Sequence, residues 1–200
     1  MKPFKQYFIE QTDGKTAVIA YGRYNPPTTG HQKLIDKLEE IAFKNNAEAF
    51  LVPSHSQDGI KNPLSYVEKE EILREMCNSA SILSQGKTLI SLLQFLQQQG
   101  YTHIIHIAGS DRIPEYQKLV EMYNGKPDKK GIIPFSFNRY EFISAGERDP
   151  DSEDVEGMSA SKLRLLAAEG NLDAFKQGMS NKVTDSLKQK TYNKIRERIK

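Results

Sequence analysis

Thr16-Ala17-Val18-Ile19-Ala20-Tyr21, followed without a break by Gly22-Arg23-Tyr24-Asn25-Pro26-Pro27-Thr28-Thr29-Gly30-His31, decides the fold of this chain. The first six residues form a continuous apolar run, the pattern of a strand buried on both faces. The next ten hold two prolines and two glycines and read as a loop. Behind the loop, Leu34, Ile35, Leu38, Ile41 and Ala42 recur at helical spacing on one face. Strand, loop and helix in this order form the first half of a βαβ unit.

The pattern repeats outward from there. Residues 47–52 read as a second strand, and Pro53 to Pro63 as a polar loop. Ser65 and Glu68 stand at capping-box spacing ahead of a helix carrying Ile72, Leu73 and Met76. Residues 81–83 suggest a short strand. Leu89, Leu92, Leu93 and Leu96 form a helical stripe that Gly100 ends. His103-Ile104-Ile105-His106-Ile107-Ala108 is another buried strand, running into Gly109-Ser110-Asp111. Ile113, Tyr116, Val120 and Tyr123 mark a helix, and 132–143 one or two further strands. Alternation of this kind predicts an α/β chain with a Rossmann-like, doubly wound parallel sheet. Ligands then bind beyond the carboxyl ends of the strands, where loops 22–30 and 109–111 lie.

Residues 159–170 and 171–177 read as short helices, and Val183, Leu187, Ile195 and Ile199 give a final helix one apolar stripe. The expected organisation is one domain over 1–178 with a helical C-terminal extension, the basic helix of 179–200 packing on the same domain. Residues 181–200 carry a local charge of +5, leaving −3 for the remainder. The acidic run 147–156 lacks calcium-loop spacing and reads as a solvated loop.

Composition narrows the function. The chain has 200 residues, a net charge of +2, 38% hydrophobic and 27% charged residues, which excludes a wholly disordered chain and a strong nucleic-acid field. Cys77 alone excludes an internal disulfide and a multi-cysteine zinc site. The N-terminal MKPFKQYFIEQTDGK has no long apolar segment, so no signal peptide is expected. The longest stretch without charged residues, Thr88 to Ser110, is too polar to span a bilayer. A cytoplasmic protein is the expectation.

The chemistry concentrates in three segments. Gly30 opens a helix whose free N–H groups and dipole favour a phosphate, and its missing side chain permits close approach. His31 lies in the first turn, suited to stabilise charge on a phosphoryl group, with Thr28 offering a hydroxyl on the same side. Far along the chain, Ser159 and Ser161 open another helix, and Arg164 follows one turn later, able to reach the same phosphates. Asp111 follows a buried strand, where a carboxylate can accept from a ribose diol or cap the next helix. Lys61, in the loop beyond the second strand, is a mobile point charge. Arg112 is a further phosphate candidate. His55 is read as a non-functional residue, and His103 and His106 as packing residues facing one side of their strand.

The Gly22–His31 segment resembles the signature of the HxGH nucleotidylyltransferase superfamily, and its longer form G-R-F-x-P-P-H-x-G-H that of nicotinamide-nucleotide adenylyltransferases. Thr28 stands where many members carry the first histidine. Threonine there is usual in other branches, including the cytidylyl enzymes. Met158 to Arg164 resembles the family's I-S-x-[ST]-x-x-R element, and Gly109-Ser110-Asp111 its G-x-D. The resemblance covers about residues 16–177. The run Ser144 to Pro150, with Glu156 to Lys162, also looks like nucleotidylyltransferases of large tailed bacteriophages, and so suggests a viral protein in host cytoplasm.

The resemblance implies transfer of the AMP moiety of ATP to a phosphate acceptor, foremost nicotinamide mononucleotide, giving NAD and pyrophosphate. The alternative it implies is a cytidylyltransferase using CTP and a sugar or alcohol phosphate. A non-catalytic nucleotide- or nucleic-acid-binding module is the remaining reading. His31, Thr28 and Lys61 would be catalytic. Gly22, Arg23, Tyr24, Gly30, His31, Gly109, Asp111, Ser159, Ser161 and Arg164 would bind nucleotide. Mg²⁺ is expected, held mainly by triphosphate oxygens and water, without a protein metal cluster. Neither a membrane nor nucleic acid is an expected partner, and a homo-oligomer is compatible with the family.

Overall fold

The computed structural model describes residues 14–146 and 158–199. The acidic run 147–156 and Gly157 lie outside the described residues. Five strands form one wholly parallel sheet in the order β3-β2-β1-β4-β5, with β1 Lys15–Gly22, β2 Glu48–Pro53, β3 Ser81–Ile82, β4 Tyr101–Ala108 and β5 Arg139–Ser144. The order reverses between β1 and β4, the place where ligands bind in sheets of this type.

Period-two alternation sorts the sheet residues onto two faces. Val18 and Ala20 of β1 join one cluster with Ile35 and Leu38 of α1 (Thr29–Lys44) and Ile72, Leu73 and Met76 of α2 (Tyr66–Met76). Ala17 and Ile19 join the other, with Leu89, Leu92, Leu93 and Leu96 of α3 (Leu89–Gln98) and Tyr116 of α4 (Ile113–Tyr123). The sheet is therefore covered on both faces, which is why β1 reads as an unbroken apolar run. Ser65 caps α2 with Glu68 in the expected capping box.

The C-terminal helices α5 (Ala160–Glu169), α6 (Leu172–Gly178) and α7 (Asp185–Arg198) join the α1–α2 side through Leu163, Phe175, Leu187, Tyr192 and Ile195. Three of the basic residues of α7 face the acidic face of α2. Lys190 meets Glu71 at 2.6 Å, while Lys194 and Arg198 converge on Glu68 at 2.5 and 2.6 Å. Burial opposes ionisation of Glu68, but these two cations and the Ser65 N–H outweigh it and hold its pKa well below the usual carboxylate range.

His103 and His106 do not share a face. Three positions apart on a strand of period two, they must diverge. His106 is fully buried and stacks on Tyr116 at 4.8 Å between ring centroids. Burial without a compensating charge pushes its pKa down to about 3, so it is a neutral packing residue.

Candidate active site

The carboxyl ends of β1, β2 and β4, the first turn of α1 and the start of α5 enclose a cavity of about 850 Å³. Every residue singled out above as catalytic or nucleotide-binding borders it: Gly22, Arg23, Tyr24, Thr28, Gly30, His31, Lys61, Gly109, Asp111, Ser159, Ser161 and Arg164. Arg112 borders it as well.

Loop 22–28 is held from several directions. Asn25 is 1% exposed and uses its amide as a backbone mimic, donating to Leu64 O and accepting from Leu64 N, both at 2.9 Å. Its own carbonyl accepts from Arg164 Nη1 at 2.7 Å. The two distant motifs thus touch directly, and Arg164 Nη2 adds a 2.9 Å bond to Ser161 Oγ. A guanidinium carries five N–H donors, so three remain for a ligand. Burial, then the nearby Arg23, lowers the Arg164 pKa from its ordinary value, and the group stays cationic at neutral pH.

Tyr24 lies beneath the loop with φ +47°, a conformation L residues rarely adopt. It is 1% exposed, and its ring centroid lies 4.9 Å from that of His31. A side chain at Gly22 would meet that ring at 3.1 Å, so Gly22 makes room for Tyr24. Tyr24 is the floor of the site, supporting His31 from below.

His31 and Thr28 form a reciprocal cap on α1. Thr28 Oγ1 accepts from His31 N at 3.3 Å, and Thr28 N donates to His31 Nδ1 at 3.0 Å. An amide can only donate, so Nδ1 is an acceptor and the neutral ring carries its proton on Nε2. Thr28 is 2% exposed and its hydroxyl lies 3.0 Å from Nδ1, engaged in the cap. Thr28 borders the cavity as well, and its hydroxyl oxygen both caps α1 and lies against the His31 ring.

A side chain added at Gly30 would find only ordinary contacts, Thr28 Oγ1 at 3.6 Å and Met158 O at 3.9 Å. The protein itself has no need of a bare backbone there. A Cβ at Gly109 would come within 2.8 Å of Asp111 Oδ1, the movable end of a side chain. Asp111 does not cap α4: the cap position is Arg112, with no side-chain bond to the helix end. Its carboxylate instead folds back over Gly109 at the cavity edge.

Ser159 caps α5, accepting from Lys162 N at 3.0 Å. Lys61 is exposed on a loop organised by Asp58, whose carboxylate accepts from three successive N–H groups and the Asn62 amide. The Asn62 side chain, then those amides, lower the Asp58 pKa to about 2. His55 stays apart from the cavity, stacked on Tyr66 and bonded to Ser84 O.

Sequence reasoning missed Asn25 and Lys69. Asn25 sits before two prolines, a position that only its three long-range bonds make informative. Lys69 of α2 is wholly enclosed, and its ammonium donates to the carbonyl of Ser54 on the cavity wall. Burial lowers its pKa to about 8. Nothing in a helix of alternating charge marks this lysine as the enclosed one.

Among the described residues no three His, Cys, Asp or Glu gather as a metal site, and no helix is long and apolar enough to cross a membrane. Among the described residues the lining offers one carboxylate, Asp111, against several cations. A Mg²⁺ arriving with a triphosphate would be held by phosphate oxygens and water.

No family model and no curated protein matches the chain. Solved structures do. The nicotinic acid mononucleotide adenylyltransferase of Plasmodium falciparum, complexed with NaAD, superposes with a TM-score of 0.52 at 18% identity, covering 92% of this chain and 95% of that one. TmcAL of Thermotoga maritima, bound with alpha-thio ATP, gives 0.54 at 13% identity over 92% of this chain and 56% of its own. A putative nicotinate-nucleotide adenylyltransferase of Vibrio parahaemolyticus gives 0.53 at 15% identity over 88% and 98%. At such identities the likeness establishes the fold, and it is the fold that the HxGH nucleotidylyltransferase motifs implied.

Proposed function

We propose that this chain is a nucleotidylyltransferase that transfers AMP from ATP to the phosphate of nicotinamide mononucleotide, forming NAD and pyrophosphate. The observation that carries this reading is the 2.7 Å bond from Arg164 to Asn25 O, which joins two motifs 139 residues apart over the cavity that His31 borders. Two of the structural relatives are complexes with NaAD and with alpha-thio ATP, and this supports an adenylyl donor and a pyridine mononucleotide acceptor.

In this reading an oxygen of the acceptor phosphate attacks the α-phosphorus of ATP. The bond from that phosphorus to the oxygen bridging to the β-phosphate breaks, and its electron pair leaves with pyrophosphate. His31 donates from Nε2 to a non-bridging α-phosphate oxygen, where charge builds. Thr28 and Tyr24 hold the ring in place. The bare backbone at Gly30 admits the phosphate to the N-terminus of α1. Arg164, Ser161 and Ser159 hold the leaving pyrophosphate, Lys61 and Arg23 add charge near the reacting phosphates, and Gly109 and Asp111 take the ribose hydroxyls. Catalysis is positioning and charge stabilisation. Mg²⁺ bound to the triphosphate would screen its charge.

Thr28 favours a second reading, a cytidylyltransferase using CTP and a sugar or alcohol phosphate. The nucleic-acid reading loses its support, because Lys190, Lys194 and Arg198 of the basic helix are matched by Glu68 and Glu71. The test is pyrophosphate release from each triphosphate with a panel of acceptors. ATP with nicotinamide mononucleotide is expected to give NAD. Turnover only with CTP and an alcohol or sugar phosphate selects the second reading, and no turnover with any pair removes both.

A further inference from the structure

The segment between β2 and α2 brings Lys61 to the edge of the reaction cavity, and Asn62 lines the cavity beside it. The centre of this segment is a self-contained turn. Asp58 accepts from the N–H groups of Ile60, Lys61 and Asn62 and from the Asn62 amide, and its own N–H donates to Asn62 O at 2.9 Å. These bonds fix the shape of the turn but not where it stands against the cavity. Among the described residues, one partner from outside hydrogen-bonds to residues 56–63. It is Arg198 of α7, whose Nη1 donates to Pro63 O at 2.8 Å. On the other side of Lys61, a Cβ at Gly59 would stand 3.5 Å from the Arg198 carbonyl oxygen. The end of α7 thus backs the turn at two points that flank Lys61 in sequence.

Neutralising Glu68 does not by itself account for Arg198. Glu68 already has Lys194 at 2.5 Å and the Ser65 N–H at 2.9 Å. Arg198 adds Nη1 at 2.6 Å and Nη2 at 3.0 Å, a fork on the carboxylate, and the second proton of Nη1 serves Pro63 O. A guanidinium can do both at once. An ammonium at this position could pair with Glu68 but lacks the planar fork that fixes its direction. Glu68 therefore orients the guanidinium, and the guanidinium holds the turn. Leu64, next to Pro63, is bonded through both its N–H and its carbonyl to Asn25 at 2.9 Å. The turn is clamped between the end of α7 and the loop after β1.

We infer that Arg198 is a positioning residue of the reaction cavity, seating the turn 58–63 so that Lys61 meets the phosphates of a bound nucleoside triphosphate. The inference rests on the role of Lys61 in the reaction proposed above, and it extends the site to a helix that none of the sequence motifs reaches. Arg198 touches no substrate. Its removal lets the turn shift as a unit, and the Lys61 ammonium then spends less time beside phosphate.

Calorimetric titration of the full chain with ATP and with CTP reads this without turnover. Arg198→Ala and Lys61→Ala are each expected to weaken the triphosphate that binds by about threefold or more. The double variant should bind no more weakly than Lys61→Ala alone, because a displaced alanine has no charge to lose. Lys194→Gln takes a cation from Glu68 without touching Pro63 O, so its melting temperature falls while its affinity stays. Arg198→Lys recovers the melting temperature but not the affinity, and it replaces Arg198→Ala in the cycle if that variant does not fold. Unchanged affinity in either single variant, additive losses in the double variant, or a loss in Lys194→Gln equal to that in Arg198→Ala overturns the inference. A wild type that binds neither triphosphate overturns it too. Pyrophosphate release by the same proteins separates it from the proposed reaction. No turnover with the coupling intact removes the reaction and leaves Arg198 its role, while full wild-type turnover with additive losses removes the role of Arg198 alone.

Discussion

Arg164 donates from Nη1 to the backbone carbonyl of Asn25 at 2.7 Å, across 139 positions of sequence. One guanidinium therefore ties the C-terminal helical motif to the loop after the first strand, while its remaining donors border the cavity. Arg164→Ala is expected to weaken triphosphate affinity about 10- to 100-fold, the worth of charge-assisted hydrogen bonds. Arg164→Lys should recover little of this, because an ammonium lacks the planar fork needed to serve carbonyl and phosphate together. Steady-state kinetics on the triphosphate check both, and an unchanged KM removes the assigned role.

His31→Ala should lower turnover by about 10²-fold or more if the ring stabilises charge in the transition state. Thr28→Val removes the cap oxygen and should cost about 1 kcal/mol of stability together with part of the turnover, while Thr28→Ser preserves both. Thermal unfolding and initial rates, measured on the same samples, separate the two effects. A Thr28→Val enzyme with full activity would show that the cap does not orient the ring.

Gly30→Ala divides folding from function. The added methyl meets nothing closer than 3.6 Å, and alanine is the better helix former by up to about 1 kcal/mol. The melting temperature should stay or rise while the rate falls, because the methyl occupies space left for the phosphate. A variant equally active with wild type refutes the close approach.

The α2–α7 contact predicts an acid limb in the stability curve. The folded-state pKa of Glu68 lies below its ordinary value of 4.5, so the stabilisation is full above that value and disappears as pH falls toward the folded pKa. Glu68→Gln should cost roughly 1.5–3 kcal/mol at pH 7 and flatten the loss below pH 4.5. Denaturant titrations of both proteins across pH 3–7 provide the comparison, and parallel curves would exclude Glu68 as the source.

Hydrophobic spacing alone determined the element order, both faces of the sheet and the loops that carry the chemistry. Strand runs such as Val18–Ala20 and the α3 leucines report burial locally, and Thr28, Gly30, His31 and Ser159–Arg164 stand out by residue type and spacing. What remained hidden depends on partners distant in sequence. Asn25 matters only because Leu64 and Arg164 reach it, Lys69 is enclosed only because α2 packs over Ser54, and the basic charge of α7 is muted only because α2 presents Glu68 and Glu71 to it. Asp111 could cap a helix or face a ligand on sequence grounds, and only the tertiary structure shows that the cap position of α4 is Arg112. Local pattern encodes which side chains turn inward; which inward or charged groups meet is set by the packing of elements far apart in the chain, and tertiary structure alone decides that.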